Sequence, residues 1–271
     1  TGLLGVRSLA KDRSIMTRTF SWLYLAIAFG FIYLPVGTLV LFSFQDGGLP
    51  VPPFNGPSLK WYGEVLSDRD VTSALIHSLL VALGSSAISV LLGFFAAYGL
   101  ARYVLPGSVV IRALLIAPLT VSYLIVGLGL LIVLTRMGIG LSLITVCIGH
   151  VVINLPLAFA IIYASMGAQQ ENAEHAARDL GATEGSVLLL VTAPMLSPAI
   201  AAAFFLSVTL SWDEFIIAFL LTRFDITLPV EIWSMLRSGL SPSLNAIGSF
   251  VFLISVAALL LLEFIVLRRR K

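Results

Sequence analysis

The sequence predicts an all-α, polytopic membrane protein with six transmembrane helices and a helix-turn-helix loop between the fourth and the fifth. Composition and run length predict it. Of 271 residues, 59% are apolar and only 11% are charged, against about 25% charged in a soluble domain, and mean hydropathy is +1.04. The apolar residues also gather in six continuous runs, 22–44, 75–100, 113–134, 141–164, 198–221 and 246–267, each near the roughly 20 residues that cross a bilayer as a helix. A helix satisfies its own backbone polar groups in lipid, and the short alternating segments of a membrane barrel are absent. A soluble enzyme, a disordered tail and a small secreted disulfide scaffold are excluded. Cys147 stands alone, and a net charge of +2 gives no reason to expect nucleic acid.

The first run is too long for a signal peptide, and no small-residue cleavage site precedes Gln45. The outer loop that follows is rich in Gly and Pro, then reads Leu59-Lys60-Trp61-Tyr62-Gly63-Glu64-Val65-Leu66, a short amphipathic helix with Trp61 and Tyr62 at headgroup level. Proline punctuates the runs at Pro35, Pro118 and Pro156, and Pro194 and Pro198 open the fifth. Each removes a backbone hydrogen bond and bends the axis. With the N-terminus inside, the inner side holds Arg7, Lys11, Arg13, Arg18, Arg102, Arg112, Arg178, Arg268, Arg269, Arg270 and Lys271, against Lys60, Arg69, Arg136, Arg223 and Arg237 outside. That asymmetry puts both termini in the cytoplasm.

Enzyme signatures are missing. No phosphate loop, His-Glu-x-x-His or Cys-x-x-Cys occurs, no Gly-x-Ser-x-Gly elbow, and His77, His150 and His175 lie far apart. No catalytic or metal-binding set is expected.

The loop between the fourth and fifth runs carries the strongest signal. In 169–182, Ala173, Ala176, Ala177 and Leu180 recur at helical spacing. Glu171, Glu174, His175, Arg178 and Asp179 are expected on the opposite side, and Gly181 ends the helix before Ala182. A second stretch, 187–191, leads to Pro194 and back into the membrane.

Ala176-Ala177, Gly181 and, nine residues on, Val191 and then Pro194 resemble the "EAA" loop of permease subunits in bacterial ATP-binding-cassette importers. Two positions depart from that pattern. His175 stands where the family has an acidic residue, with Glu174 one residue early, and Ala193 stands for Leu. Either Glu174 fills the acidic role or that contact is absent. Leu59-Lys60-Trp61-Tyr62, Leu210-Ser211-Trp212-Asp213-Glu214-Phe215 and the stretch from Leu228-Pro229 to Asn245-Ala246 look like the second permease of the spermidine/putrescine branch.

The resemblance implies a division into a cytoplasmic segment 1–20, a transmembrane permease domain 21–267 with a coupling loop at about 166–194, and a basic cytoplasmic end 268–271. It also implies residence in the bacterial inner membrane, among lipid, beside a second permease. Two cytoplasmic ATPase subunits, which hold ATP and Mg, and a periplasmic substrate-binding protein complete the machinery; this chain itself is expected to carry no cofactor. Glu174, His175, Ala176, Ala177, Arg178, Asp179, Leu180, Gly181, Ala182 and Pro194 would couple it to the ATPase. The branch also moves other small organic solutes and iron, so a polyamine is the leading substrate class among several.

Trp212, Asp213 and Glu214 are the candidate substrate path. Adjacent carboxylates inside an apolar run are costly unless they face water, a partner or a cavity, ammonium groups suit them, and Trp212 adds a cation–π face. A structural network with Arg223 or Arg237 is the other reading. A self-sufficient secondary carrier is the rival class, but inverted repeats with matching broken helices are not evident.

Overall fold

The computed structural model describes residues 2–268, with side chains given for 20–257 and Leu260. Of the predicted basic end at 268–271, residues 269–271 lie outside them. Thirteen α-helices are present among the described residues and no strand, apart from an isolated bridge between Gln45 and Pro57. The chain divides into two compact units, one of residues 1–65 and 240–252, the other of 66–239 and 253–271.

In the first unit, α1 (Gly2–Ser43) contains the apolar span Phe20–Ser43, whose large side chains from Phe20 to Leu34 are mostly exposed, as on a lipid-facing helix. The predicted interfacial helix is α2 (Lys60–Ser67). Its aromatics turn back onto the end of α1. The Trp61 indole N–H donates to the Gln45 carbonyl at 2.7 Å, and the Tyr62 hydroxyl meets Ser43 Oγ at 2.7 Å. Gln45, itself buried, bonds Pro53 O and Asn55 N, which fixes the Gly/Pro-rich loop.

In the second unit, α3 (Arg69–Arg102), α6 (Leu143–Ala164) and α10 (Ser197–Trp212) pack together. Asp68 caps α3 through the backbone N–H groups of Asp70 and Val71. Its 34 residues, at about 1.5 Å each, outrun a hydrocarbon layer of about 30 Å, so its last turn reaches beyond it. One apolar core gathers Val81, Val146, Ile153, Ile217 and Leu221, and another Phe94, Ala158, Phe159, Ile162 and Leu196.

Two predicted spans are not straight. The third is α4 (Ser108–Ile116) with a 3₁₀ turn at Ala117–Thr120, then α5 (Tyr123–Arg136), bent by 108°. Pro118 sits in that turn and cannot donate to the preceding helix. The fifth stops at Trp212 and restarts as α11 (Ile216–Leu221). Before it, α7 (Ala168–Asp179), α8 (Glu184–Val187), a π turn (Leu188–Thr192) and α9 (Ala193–Met195) make the predicted helix-turn-helix loop and lead into α10, with a 70° bend before Ser197. The chain closes with α12 (Leu228–Ser238) and α13 (Pro242–Arg268). Three helices are long and apolar enough to cross a membrane among the described residues, or five if each bent pair is one span, and Pro242–Ala257 of α13 is a shorter apolar helix.

Candidate functional site

The loop helix α7 begins where Gln170 Oε1 accepts the Gly167 N–H at 3.2 Å. It ends where Gly181, at φ +86°, donates to Arg178 O at 2.8 Å. A left-handed residue costs a side chain roughly 1–2 kcal/mol, which is why glycine serves here. The face turned to the protein carries Gln170, Ala173, Glu174, Ala177 and Arg178; the exposed face carries Glu171, Asn172, His175, Ala176, Asp179 and Leu180. This differs from the expected division, in which Glu174 and Arg178 lay on the polar, outward side.

The reason is charge pairing. Glu174 is fully buried and accepts from Arg102 Nε at 2.6 Å, from Arg102 Nη2 at 3.3 Å and from the Thr192 hydroxyl at 2.9 Å. Arg178 grips Glu184 through Nε at 2.7 Å and Nη2 at 3.1 Å, and Nη2 also donates to the Tyr98 hydroxyl at 3.3 Å. The hydrogen bond that it donates to Glu184 holds the Arg178 guanidinium above its ordinary pKa. Leu180 is 90% exposed, and Leu189 and Leu190 of the same loop are exposed too. His175 lies 3.9 Å from Glu171 on the open surface. Gly181 is exposed, Ala182 half-buried and Pro194 exposed at the start of α9.

The second cluster is the break between α10 and α11. Glu214 is buried, and its carboxylate accepts three backbone N–H groups, from Ile216 at 2.9 Å, Ile217 at 2.8 Å and Ala218 at 3.2 Å. A carboxylate at a helix start satisfies orphan donors and complements the helix dipole, so α11 begins there. His150 Nε2 lies 3.5 Å from Glu214, and its Nδ1 meets Ser211 Oγ at 2.5 Å, which in turn meets Ser85 Oγ at 3.2 Å. Gly149 lets α11 approach α6: a Cβ there would collide with Ile217 and sit 2.8 Å from Leu221. Trp212 is buried with its indole N–H unpartnered, while Asp213 is exposed. No protein group bonds the Asp213 carboxylate, and no arginine pairs with it or with Glu214, among the described residues.

A cleft of about 280 Å³ lies against the first turns of α3, lined by Asp70, Ser73, His77, Phe224 and Glu231. Burial pushes the Glu231 carboxyl above the usual range, and Asp70 and Asp68 push the same way. His77 is held through Nδ1 by Ile226 O at 3.1 Å. No cluster of three metal-ligating side chains occurs among the described residues.

A family model described as "Binding-protein-dependent transport system inner membrane component" matches residues 89–271, which take in both clusters apart from Ser85. The chain belongs to that family. Relatives of this permease include two from Escherichia coli (strain K12). It is 27% identical to the spermidine/putrescine transport system permease protein PotC over 86% of this chain and 88% of that one. It is 32% identical to the putrescine transport system permease protein PotI over 84% and 83%. It shares its fold with a chain of a bacterial ABC transporter involved in the import of the acidic polysaccharide alginate, at TM-score 0.70 and 17% identity over 95% of this chain and 97% of that one. The permease is thus a membrane component of an ABC importer.

Sequence reasoning about this permease missed Arg102, Tyr98, Thr192, His150 and Ser211. One signal was available: His150 and Asn154 in α6, and Ser207 and Ser211 in α10, recur at i, i+4 within apolar runs, where polar groups need a partner.

Proposed function

We propose that this permease crosses the inner membrane six times, with both termini in the cytoplasm, and moves a small organic cation of the polyamine class inward. Helices α1, α3, α6 and α13, the bent pair of α4 and α5, and α10 with α11 supply the spans. A periplasmic binding protein presents the substrate, a second permease completes the path, and two ATPase subunits holding ATP and Mg act on the corner of α7. Closure of the ATPase pair favours one of two arrangements of the spans, which is alternating access.

The observation that carries the substrate class is Asp213. An exposed carboxylate without a protein partner stands at a helix break, in a chain whose relatives are named for spermidine and putrescine. A hydrogen bond to a charged group contributes about 1.5–3 kcal/mol. Asp213→Asn should therefore lower putrescine uptake roughly tenfold or more in an importer that still assembles. Equal uptake by variant and parent would remove Asp213 from the path.

Topology has its own test. In a Cys147→Ser background, Leu59→Cys should react with an impermeant thiol reagent added outside intact cells, and Gln169→Cys should react only after permeabilisation. Both positions are exposed, so the reverse pattern would overturn the orientation.

A further inference from the structure

Helix α7 offers the rest of the chain little to grip. Its inward face presents two alanine methyl groups and one glutamine beside the charged pair, so packing alone transmits sideways force poorly. There are two exceptions: Arg178, which bonds Tyr98 and the exposed Glu184 near the surface, and Glu174, whose grip is the buried one. Its carboxylate is fully buried and binds two separate elements: Arg102, the last residue of α3, and Thr192, which closes the π turn ahead of α9 and α10. The Arg102 side chain is itself 8% exposed. A two-nitrogen guanidinium grip fixes angle as well as distance. A buried ion pair of this kind contributes little to net stability compared with a well-packed apolar pair, which makes geometry the part of its role that an apolar pair lacks.

We propose that Glu174, clamped by Arg102 and Thr192, is a rigid joint that makes α7, α3 and the approach to α10 move as one body when the ATPase tilts α7. Glu174 is then a positioning residue that faces the membrane helices, and the outward acidic position is left to His175. The inference rests on the reading of α7 as the ATPase-facing helix.

The test uses the assembled importer, with nitroxides at Asn172 on α7 and Leu91 on α3, both exposed, in a Cys147→Ser background. A rigid joint keeps their distance and its spread unchanged when ATP and vanadate trap the closed ATPase. In Glu174→Gln, and in the double variant Arg102→Met with Glu174→Met, trapping should shift or broaden that distance. ATPase subunits should still co-purify, while ATP hydrolysed per putrescine transported rises roughly tenfold or more, the scale of an ordinary coupling free energy. A distance that changes on trapping in the parent, or that stays sharp and fixed in the variants, overturns the joint. So does loss of the ATPase from Glu174→Gln, because an inward joint does not touch it. The isosteric Glu174→Gln keeps the test decisive if the double variant fails to assemble. The underlying reading fails separately: Leu180→Asp leaving ATPase binding and uptake intact would remove α7 as the ATPase contact whatever Glu174 does.

Discussion

Leu180→Asp should release the ATPase subunits and cut uptake by roughly 100-fold, the effect of losing a central contact worth about 2–3 kcal/mol, while the permease keeps its own fold. The side chain is 90% exposed, and substitutions at such positions change stability by only about 0.5 kcal/mol. Leu189 and Leu190 of the same loop are 68% and 75% exposed, so three leucines and the Ala176 methyl lie outside the permease's own core. A carboxylate placed there must be desolvated in any apolar contact. Ala176→Arg should act in the same direction. Ala177→Arg is a poorer probe, because Ala177 is half-buried on the inward face and bulk there disturbs the permease itself. Co-purification of the ATPase and the thermal midpoint of the solubilised permease are the two measurements. Retained ATPase and normal uptake would show that this face is not the docking surface.

Glu214→Leu should act in the opposite way and prevent accumulation of folded permease. The Glu214 carboxylate accepts three backbone N–H groups at the start of α11. Each buried donor left unpaired costs about 1–3 kcal/mol, and the sum is comparable with the roughly 5–15 kcal/mol that holds an ordinary domain together. Glu214→Gln should be intermediate, since its amide turns donors towards donors but leaves one oxygen to accept. Asp213→Asn, one residue away, should leave the melting temperature unchanged, because no protein group bonds that carboxylate. Thermal unfolding of the three purified variants checks the order. A normal melting temperature for Glu214→Leu with lost transport would mean that Glu214 acts on substrate and not on the start of α11.

The all-helical class and the apolar helices were legible because apolar run length is a property of contiguous sequence. Their interruptions were not, and Glu214 explains one of them. As a composition signal it is a charge in an apolar run, and such a charge suggests a path. Its actual partners are backbone N–H groups two to four residues ahead, visible only once the helix has stopped. Helix α7 shows the same limit. Its period was correct, but its face depends on Arg102, which lies 72 residues away and answers the Glu174 charge. The π turn at Leu188–Thr192 adds a further shift, since one extra residue per turn breaks the conversion of sequence spacing into a helical face. The match of Gly181 and Val191 to the family spacing therefore located the loop without saying which side chains point outward.

In a bilayer, an apolar helix face finds an equally apolar neighbour in the acyl chains, so hydrophobicity cannot tell one span which other span to choose. The seam that runs from Glu214 through His150 and Ser211 to Ser85, with Asn154 donating to the Ser207 carbonyl at 3.4 Å, supplies that choice. Sliding α10 along α6 by one turn would take the Ser211 hydroxyl from His150 and the Ser207 carbonyl from Asn154. The polar seam thus works as an address: α6 carries two side chains that are expensive in lipid, and α10 in its native register meets His150 Nδ1 and the Asn154 amide.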